Sequence, residues 1–500
     1  MKSRILTCMT AMTLFAVLAI PLRLAAQEQS DEKERKAHPW FSLVDLGTFG
    51  GPTSFLDCCA VQVAPVLNKR GTVVGGADTP ASNPNYANFN PLIGPDPYVD
   101  TGFKWQRGIL TNLGTLPGGF NSFANSISSD GAIVVGTSEN GETDPLLGVP
   151  ECHPAFWKDA GLVDLGTLGG YEGLASATNN RGEIVGVVTN AVPDTLPGFP
   201  NGILWGTQSS AFRWENGAIQ DLGTLGGSDA AAAFINERGE IAGMSYTNST
   251  INPATGVPTQ DPFLWNKGEL LDLGTLGGTY GFPNWINNRG QVVGQSNLAG
   301  DSSYHPFLWE RGVLTNLGTL GGDNGYASSI NDYGEIVGRA DLHGSQVHHA
   351  FLWRHGEMTD LGVPDGGGPC STAYSINSKG QIVGDSGVCN VGGPPFLWQG
   401  GKIYNLNDLV LPGSDLTLQD VDQINDRGEI ACTGILPNSD PHACLLVPLE
   451  LAEREGLMSM QAQAHQRKKT ALLTPHDPDH SPSVMPLGTW KGNRHHIGRP

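Results

Sequence analysis

Aromatic and acidic side chains are concentrated in four long segments, residues 77–101, 137–153, 187–210 and 244–261, which interrupt an otherwise regular pattern. Aromatic rings stack on sugars, and carboxylates accept hydrogen bonds from hydroxyl groups or coordinate Ca²⁺. We therefore identify eight candidate binding residues: Tyr86, Phe89, Tyr98, Asp100, Asp144, Phe199, Trp205 and Tyr246. Ca²⁺ is a weaker alternative ligand, and no other cofactor or metal site is expected.

Two other interpretations of these segments stay open. The aromatic side chains would simply pack the segments onto the body of the protein, or carboxylates from different segments would form the pair that polysaccharide cleavage requires. No catalytic residue is assigned, because no compact catalytic signature such as Gly-x-Ser-x-Gly or a phosphate-binding loop stands out. The leading hypothesis is a non-catalytic binding scaffold, and the alternative is a polysaccharide hydrolase or lyase.

The segments lie within a sequence that repeats three signatures eight times in a fixed order. The first is Ile-Asn-x-x-Gly-x-Ile-Val-Gly, as in residues 330–338. The second is an aromatic pair followed by a turn glycine, as in residues 351–356, and the third is Asp-Leu-Gly-Thr-Leu-Gly-Gly, as in residues 272–278. Successive copies of the third signature are 44 to 67 residues apart. The shortest spacing lies within the range of four-stranded propeller blades.

Each repeat predicts two β-hairpins, because turn-forming Asn, Asp and Gly separate short apolar runs. The Ile-Val and Phe-Leu-Trp runs are apolar on both faces of a strand, so neighbouring sheets must cover them. We predict an all-β fold, a β-propeller of eight four-stranded blades, with the recurrent Trp between blades. The Asp of the third signature and the Asn of the first are expected to cap turns. The four long segments then become variable loops on one face.

The first and last repeats are incomplete in complementary ways. A lone fourth strand is predicted at residues 41–47, and the last repeat stops after a third strand at residues 444–447. The N-terminal strand is therefore expected to complete the last blade and to remove an exposed sheet edge.

The repeat signatures resemble those of the HAF family of probable extracellular repeat proteins of bacteria. The resemblance rests on His349-Ala350-Phe351, on related steps at His153, His305 and His442, and on the two glycine-rich signatures. It covers residues 41–447 and implies an exported bacterial protein, with no established activity or catalytic residues. The last two repeats depart from the pattern, with Gly362-Val363-Pro364 and Leu406-Asn407-Asp408 in place of the Gly-Thr-Leu step.

The ends of the chain differ from the repeats in composition. Residues 1–26 form a basic start, an apolar run and a small-residue cleavage site, which predicts a secretory signal peptide. Residues 27–40 are a charged leader that we expect to be flexible, the propeller spans 41–448, and 449–500 hold a short helix and a disordered tail rich in His, Pro and basic residues. Trimming the chain after Glu450 is expected to cost little stability. No transmembrane segment is expected in the mature chain.

Seven cysteines remain after removal of the predicted signal peptide, and an exported chain meets oxidising conditions. We predict a disulfide between Cys370 and Cys389, which lie in the same repeat, and another between Cys432 and Cys444, which lie on adjacent strands. Cys152 has two candidate partners, which are Cys58 and Cys59. The histidines at 343, 348 and 349 match no metal-binding motif.

The charge of the body excludes one class of partner. Residues 41–449 contain 16 Lys and Arg against 40 Asp and Glu. Such an acidic surface repels phosphate backbones, so nucleic-acid binding is not expected. The sequence predicts a monomer that is secreted, extracellular or periplasmic, and that binds a glycan or a protein through its loop face.

Overall fold

The computed structural model describes residues 39–56, 65–158, 161–199, 202–344 and 347–455. These residues form an eight-bladed β-propeller, which confirms the predicted fold class. The predicted signal peptide, Cys58, Cys59, most of the leader and most of the tail lie outside them. Within the described ranges, no helix has the length and apolar content needed to cross a membrane.

The first half of the chain supplies one separate strand, β1 (Phe41–Asp45), and four complete blades. Blade 1 contains β2 (Ser54–Phe55), β3 (Val73–Ser82), β4 (Tyr98–Gln106) and β5 (Ile109–Asn112). Blade 2 contains β6 (Ser122–Ile127), β7 (Val134–Thr143), β8 (Pro150–Lys158) and β9 (Gly161–Asp164). Blade 3 contains β10 (Gly169–Thr178), β11 (Ile184–Pro193), β12 (Thr207–Glu215) and β13 (Ala218–Asp221). Blade 4 contains β14 (Ala230–Ile235), β15 (Ile241–Ile251), β16 (Pro258–Asn266) and β17 (Glu269–Asp272).

The second half of the chain supplies the other four blades. Blade 5 contains β18 (Gly277–Ile286), β19 (Val292–Leu298), β20 (Tyr304–Glu310) and β21 (Val313–Asn316). Blade 6 contains β22 (Gly321–Ile330), β23 (Ile336–Leu342), β24 (His348–Arg354) and β25 (Glu357–Gly362). Blade 7 contains β26 (Cys370–Ile376), β27 (Ile382–Gly387), β28 (Pro395–Gln399) and β29 (Lys402–Asn405). Blade 8 contains β30 (Thr417–Ile424), β31 (Ile430–Ile435), β32 (Pro441–Pro448) and, from the N-terminus, β1.

Three short helices complete the described elements. Two are 3₁₀ helices, Tyr86–Asn88 and Leu406–Leu409, and the third is the helix α1 (Leu449–Glu455). Leu451 and Ala452 of α1 are buried in the core beside β32. The expectation that trimming after Glu450 costs little is therefore wrong, because such a cut removes two core side chains.

The strands of each blade, which we call A to D in sheet order, pair antiparallel with their neighbours. Strands A of blades 2 to 8 contact one another in succession. Most D strands, such as β13 and β21, have three exposed residues in four and form the outer edge. The sheets of blades 4 and 5 are further joined by one parallel pair, Gln260 with Tyr280.

The C–D hairpins show why the sequence forms tight turns there. In blade 1, Arg107 and Gly108 occupy the two central positions with φ of 51° and 83°. Positive φ at both positions is the type I′ geometry, whose twist matches that of paired strands and which requires Gly or a tolerant residue. The A–B and C–D hairpins share one face, and the B–C loops and D–A connections lie on the other, which we call the loop face.

The ring closes as the sequence predicts. Strand β1 pairs with β32 in a register that runs from Phe41 opposite Pro448 to Asp45 opposite Cys444. One hydrophobic cluster joins this last blade to blades 1 and 2, and it includes Leu445, Val73 and Trp157. The N-terminal strand therefore occupies the D position of blade 8.

Side-chain amides link successive blades on the face that carries the A–B and C–D hairpins. We call this face the hairpin face and the row of linked amides the amide belt. The turn Asn of each of blades 3 to 8 donates its Nδ2 hydrogen to the backbone oxygen of the turn Asn in the following blade, at 2.9–3.1 Å. The last of these bonds runs from Asn425 to Asn68, from blade 8 to blade 1, over a sequence separation of 357. In blade 2 the equivalent residue is Ser128, and the buried Nδ2 of Asn68 has no hydrogen-bond partner.

Candidate functional site

The Asp and Asn residues of the repeat signatures cap turns, as predicted. In all eight blades the Asp or Asn that ends strand D accepts a hydrogen bond from the backbone N–H two residues later, as Asp164 does from Gly166 at 2.7 Å. The Asn of the first signature accepts two backbone N–H bonds in seven blades, as Asn287 does from Arg289 and Gln291. These residues are structural.

A histidine near the start of strand C contacts the D-strand cap in four blades. His153, His305, His349 and His442 lie 2.8–3.0 Å, through Nδ1, from Asp164, Asn316, Asp360 and Asp45. In blade 4 the position belongs to Asp261, which hydrogen-bonds to Asp272. Burial, followed by the charge of Asp272, raises the pKa of Asp261 to about 7. The histidine of the motif therefore holds the end of strand D against strand C.

The structure divides the eight predicted binding residues into buried and exposed groups. Phe199, Trp205 and Tyr246 are at most 8% exposed and lie in one hydrophobic cluster, and Asp100 and Asp144 are also buried. Tyr98 is half-buried, whereas Tyr86 and Phe89 are 51% and 37% exposed. The three buried aromatic residues pack the loops onto the body of the protein. They are core residues, not the ligand contacts that the sequence predicts. The carboxylates of Asp100 and Asp144 are likewise withdrawn from solvent.

The long loops of blades 1 and 4 form hydrogen bonds with the blades that follow them. In the blade 1 loop, Asn85 donates to Glu139 of blade 2 at 3.0 Å, and Asn90 donates to Glu172 of blade 3 at 2.6 Å. In the blade 4 loop, Asn252 donates to Asp301 of blade 5 at 3.3 Å. The long loops thus overlap as a fixed cover on one half of the loop face.

Buried carboxylates support this cover. Burial raises the pKa of Asp78 to about 6, against hydrogen bonds from Thr53 that lower it, and burial raises the pKa of Glu172 well above its usual range. Glu172 accepts from Asn90 and from the backbone N–H of Cys152. Their hydrogen-bond partners are loop and strand groups, which gives both carboxylates a positioning role in the protein itself.

The other half of the loop face carries a cleft between blades 6 and 7. The cleft is open to solvent and has a volume of about 60 Å³. Its polar and aromatic lining includes Tyr326, Arg339, His348, Tyr374, Asp385 and Asn390. B–C loops are short in these two blades, with residues 343–347 and 388–394 between the strands. Among the described residues, none from the four long loops belongs to the lining of the cleft.

Arg339 is the central charged group of the cleft. Its Nη1 donates to Nε2 of His348 at 3.3 Å and to Oδ1 of Asn390 at 3.2 Å, and its guanidinium lies 4.9 Å from the ring centre of Tyr326. Within the described part of the chain, Arg339 forms no ion pair with a carboxylate. Burial and the charge of Arg339 lower the pKa of His348 to about 4, which keeps the imidazole neutral and able to accept.

Asp385 and Tyr374 are a second pair of hydrogen-bonded side chains in the lining of the cleft. Burial, together with the charges of Asp385 and Asp420, raises the pKa of the Tyr374 phenol well above its usual range, so the phenol stays protonated and donates to Asp385. Asp385 is the one carboxylate among the described lining residues. A carboxylate pair of the kind used in glycoside hydrolysis is therefore not assembled by this lining.

The two predicted disulfides are confirmed. Cys370 is bonded to Cys389 and Cys432 to Cys444. The first fixes the blade 7 loop at the rim of the cleft. The ligand atoms of His348, Cys370 and Cys389 lie within 4.8 Å of one another, yet both sulfurs are consumed in the disulfide, so they do not offer thiolates to a metal ion. Cys152 is fully buried, and its two candidate partners lie outside the described residues.

The sequence contains a signal for the cleft that loop length does not show. The residue directly after the Ile-Val-Gly step is uncharged in six repeats: Gly76, Thr137, Val187, Met244, Gln295 and Thr433. It is Arg339 in blade 6 and Asp385 in blade 7. The opposite charges of Arg339 and Asp385, at one repeat position in adjacent blades, indicate the cleft. A search for variable loops instead leads to the half of the loop face that the long loops cover.

Comparison with known proteins finds weak similarity to solved structures alone. No protein-family model matches the chain, so the resemblance to HAF repeats stays a prediction. No curated protein matches it either. Solved structures with some similarity include dipeptidyl peptidase 4 of Porphyromonas gingivalis, with 13% identity, a TM-score of 0.39, and coverage of 68% of this chain and 54% of the peptidase. The chain thus spans about half the length of that protein.

Two further structures show similarly low scores. TolB of Acinetobacter baumannii has 11% identity and a TM-score of 0.31, over 64% of this chain and 80% of TolB. A Trypanosoma rangeli sialidase has 10% identity and a TM-score of 0.29, over 89% of this chain and 64% of the sialidase. At these scores the assignment of the propeller rests on the strand pairing of the protein itself.

Proposed function

We propose that the protein is an exported, non-catalytic binding scaffold that holds a glycan in the cleft between blades 6 and 7. The observation that carries this proposal is the cleft lining, in which tyrosines flank a cation and a carboxylate on an uncovered part of a rigid face. Tyrosine rings offer flat surfaces for sugars, and Arg, Asp and Asn offer the donors and acceptors that hydroxyl groups need.

Export is part of the same proposal. Two disulfides in the described chain suit an oxidising compartment, and disulfides are rare in the cytosol of most organisms. The N-terminal signal-peptide pattern points the same way. Fractionation of cells that express the full chain should recover the protein outside the cytoplasm, with its N-terminus cleaved after Ala26.

A blocking variant at the rim of the cleft tests the binding site. Val391, at the cleft lip, is 72% exposed, and V391W narrows the mouth without altering the core. The matched control is V313W, at a site 63% exposed on the outer strand β21. On a glycan array we expect the native protein and V313W to retain the same glycans, and V391W to lose at least about tenfold in affinity, the effect of about 1.4 kcal/mol.

Two results would contradict this assignment. Equal retention by V391W and V313W would place the binding surface outside the cleft. Retention of proteins but no glycans by all three forms, in parallel pull-down experiments, would show a protein-binding scaffold instead.

A further inference from the structure

The cleft places a cation within an acidic protein. The chain has a net charge of −20 and an acidic body, yet the lining of this cleft contains one arginine with no carboxylate ion pair among the described residues. Three other arginines behave differently, since Arg181, Arg213 and Arg238 each form an ion pair with a glutamate. Arg339 thus lines the cleft without a direct ion pair, and Asp341 is near enough for the two charges to interact.

The neighbours of Arg339 fix its direction without neutralising it. His348 is neutral and accepts through Nε2, Asn390 accepts through Oδ1, and the Tyr326 ring lies against the guanidinium. Asn390 is itself positioned by the adjacent disulfide of Cys389. These contacts occupy Nη1 and one face of the guanidinium plane, and Tyr304 is a further side-chain hydrogen-bond partner, so a ligand would use the donors that remain. A preorganised guanidinium of this kind binds planar anions with little loss of side-chain entropy.

We infer that the cleft selects glycans that bear a carboxylate, in which the acid group of a uronic-acid residue binds Arg339. This inference rests on the proposed function. The planar carboxylate matches the guanidinium fork, and the sugar hydroxyl groups can donate to Asp385 while the ring lies against Tyr326 or Tyr374. A single cation balances a single negative charge, so groups with two charges, such as a phosphate monoester, are disfavoured beside Asp385.

The test compares one oligosaccharide in two chemical forms. An oligouronate and its carboxyl-reduced counterpart, in which each acid is a primary alcohol, differ only in the carboxylates. Isothermal titration of the full chain should show binding of the oligouronate at least about tenfold tighter than of the neutral form, and the preference should shrink as salt is added. A sulfated oligosaccharide of equal length distinguishes carboxylate recognition from general attraction of anions.

Variants of Arg339 test whether this residue causes the preference for the oligouronate over its neutral form. R339Q should bind the acidic and neutral forms equally, and R339K should recover part of the preference because it keeps the charge but loses the fork. The matched control, R354Q, alters an exposed arginine at the other end of the same blade and should keep the full preference. Unchanged binding of the neutral form by R339Q shows that the variant is folded.

The outcomes separate the inference from the proposed function. If the native protein binds the neutral form as tightly as the acidic form, or prefers the sulfated form, the carboxylate inference is overturned and the glycan scaffold stands. If neither form binds, both fall. A preference that survives in R339Q also overturns the inference, because it assigns the anion to another group. If R339Q does not fold, the comparison of the two ligands on the native protein still decides.

Discussion

At the scale of single residues, blade 4 departs from a pairing that recurs in four other blades. Asp261 stands where His153, His305, His349 and His442 stand, so two carboxyl groups meet at the end of strand D. Two carboxylates in contact cannot both ionise without a large cost, and a shared proton resolves the conflict. The native blade therefore holds a proton near neutral pH.

The protonated pair makes stability depend on pH in a defined direction. The pKa of Asp261 rises from 3.8 to about 7 in the folded protein. Because the folded state then binds a proton that the unfolded chain has released, the free energy of unfolding falls as pH rises from about 4 through about 7. In D261N this loss should disappear, since the amide donates to Asp272 without titrating. Urea denaturation of both forms at pH 5 and pH 8 measures the difference.

D261H serves as the second variant in that experiment. It restores the pairing of the other blades, in which contact with Asp360 raises the pKa of His349. Its added stability should be complete below pH 6 and lost as pH rises through the raised pKa of the histidine. Parallel pH profiles of the native protein and D261N would refute the shared proton.

At the scale of elements, the glycine of the Ile-Val-Gly step is fixed by a bulge on the facing strand. In blade 3, strand β10 has a register shift between Ala175 and Ala177, and a Cβ at Gly186 would lie 2.1 Å from the carbonyl oxygen of Leu174. The ring of Phe212, in the strand C motif, covers the same glycine. The first two signatures of the repeat are thus in contact in this blade. Bulges also increase the local twist of the strand.

G186A should destabilise the protein by about 1–3 kcal/mol, the usual cost of an added methyl group in a packed site. The matched control is G161A in the outer strand β9, where an added Cβ meets its nearest neighbour at 3.4 Å. Thermal unfolding followed by circular dichroism compares the two. Equal melting temperatures would show that the bulge adjusts to a side chain.

At the scale of the whole molecule, the sequence predicts the fold better than the site. Apolar strands and turn residues repeat eight times, so the blade count and the closing strand follow from the local pattern. The site depends on how loops of different length lie over neighbouring blades. Trp205 and Tyr246 are aromatic residues in variable loops, as binding residues would be, but contacts between blades bury them. The sequence singles out Arg339 only when the residue after the Ile-Val-Gly step is compared across all eight repeats.

Deletion of residues 1–47 tests the closure. The shortened chain lacks β1, so β32 loses its partner from Cys444 to Pro448, and Phe41 and Leu43 leave the core. An unpaired buried edge and the lost packing should cost several kcal/mol, roughly half of the stability of a typical domain. A chain that ends after Glu455 is the control, because it keeps α1 and all 32 strands. Equal urea midpoints for the two truncations would show that β1 does not close the ring.

The amide belt gives the ring a direction. Each turn asparagine of blades 3 to 8 donates forward to the next blade, so the belt starts at blade 3, passes through the closure between blades 8 and 1, and ends at Asn68. Blade 2, with Ser128, stands in the gap. Seven blades are therefore connected as a directed arc whose two tips flank the eighth. The join between the chain ends lies inside that arc, and blade 2 is the one blade whose displacement would leave every bond of the belt unbroken.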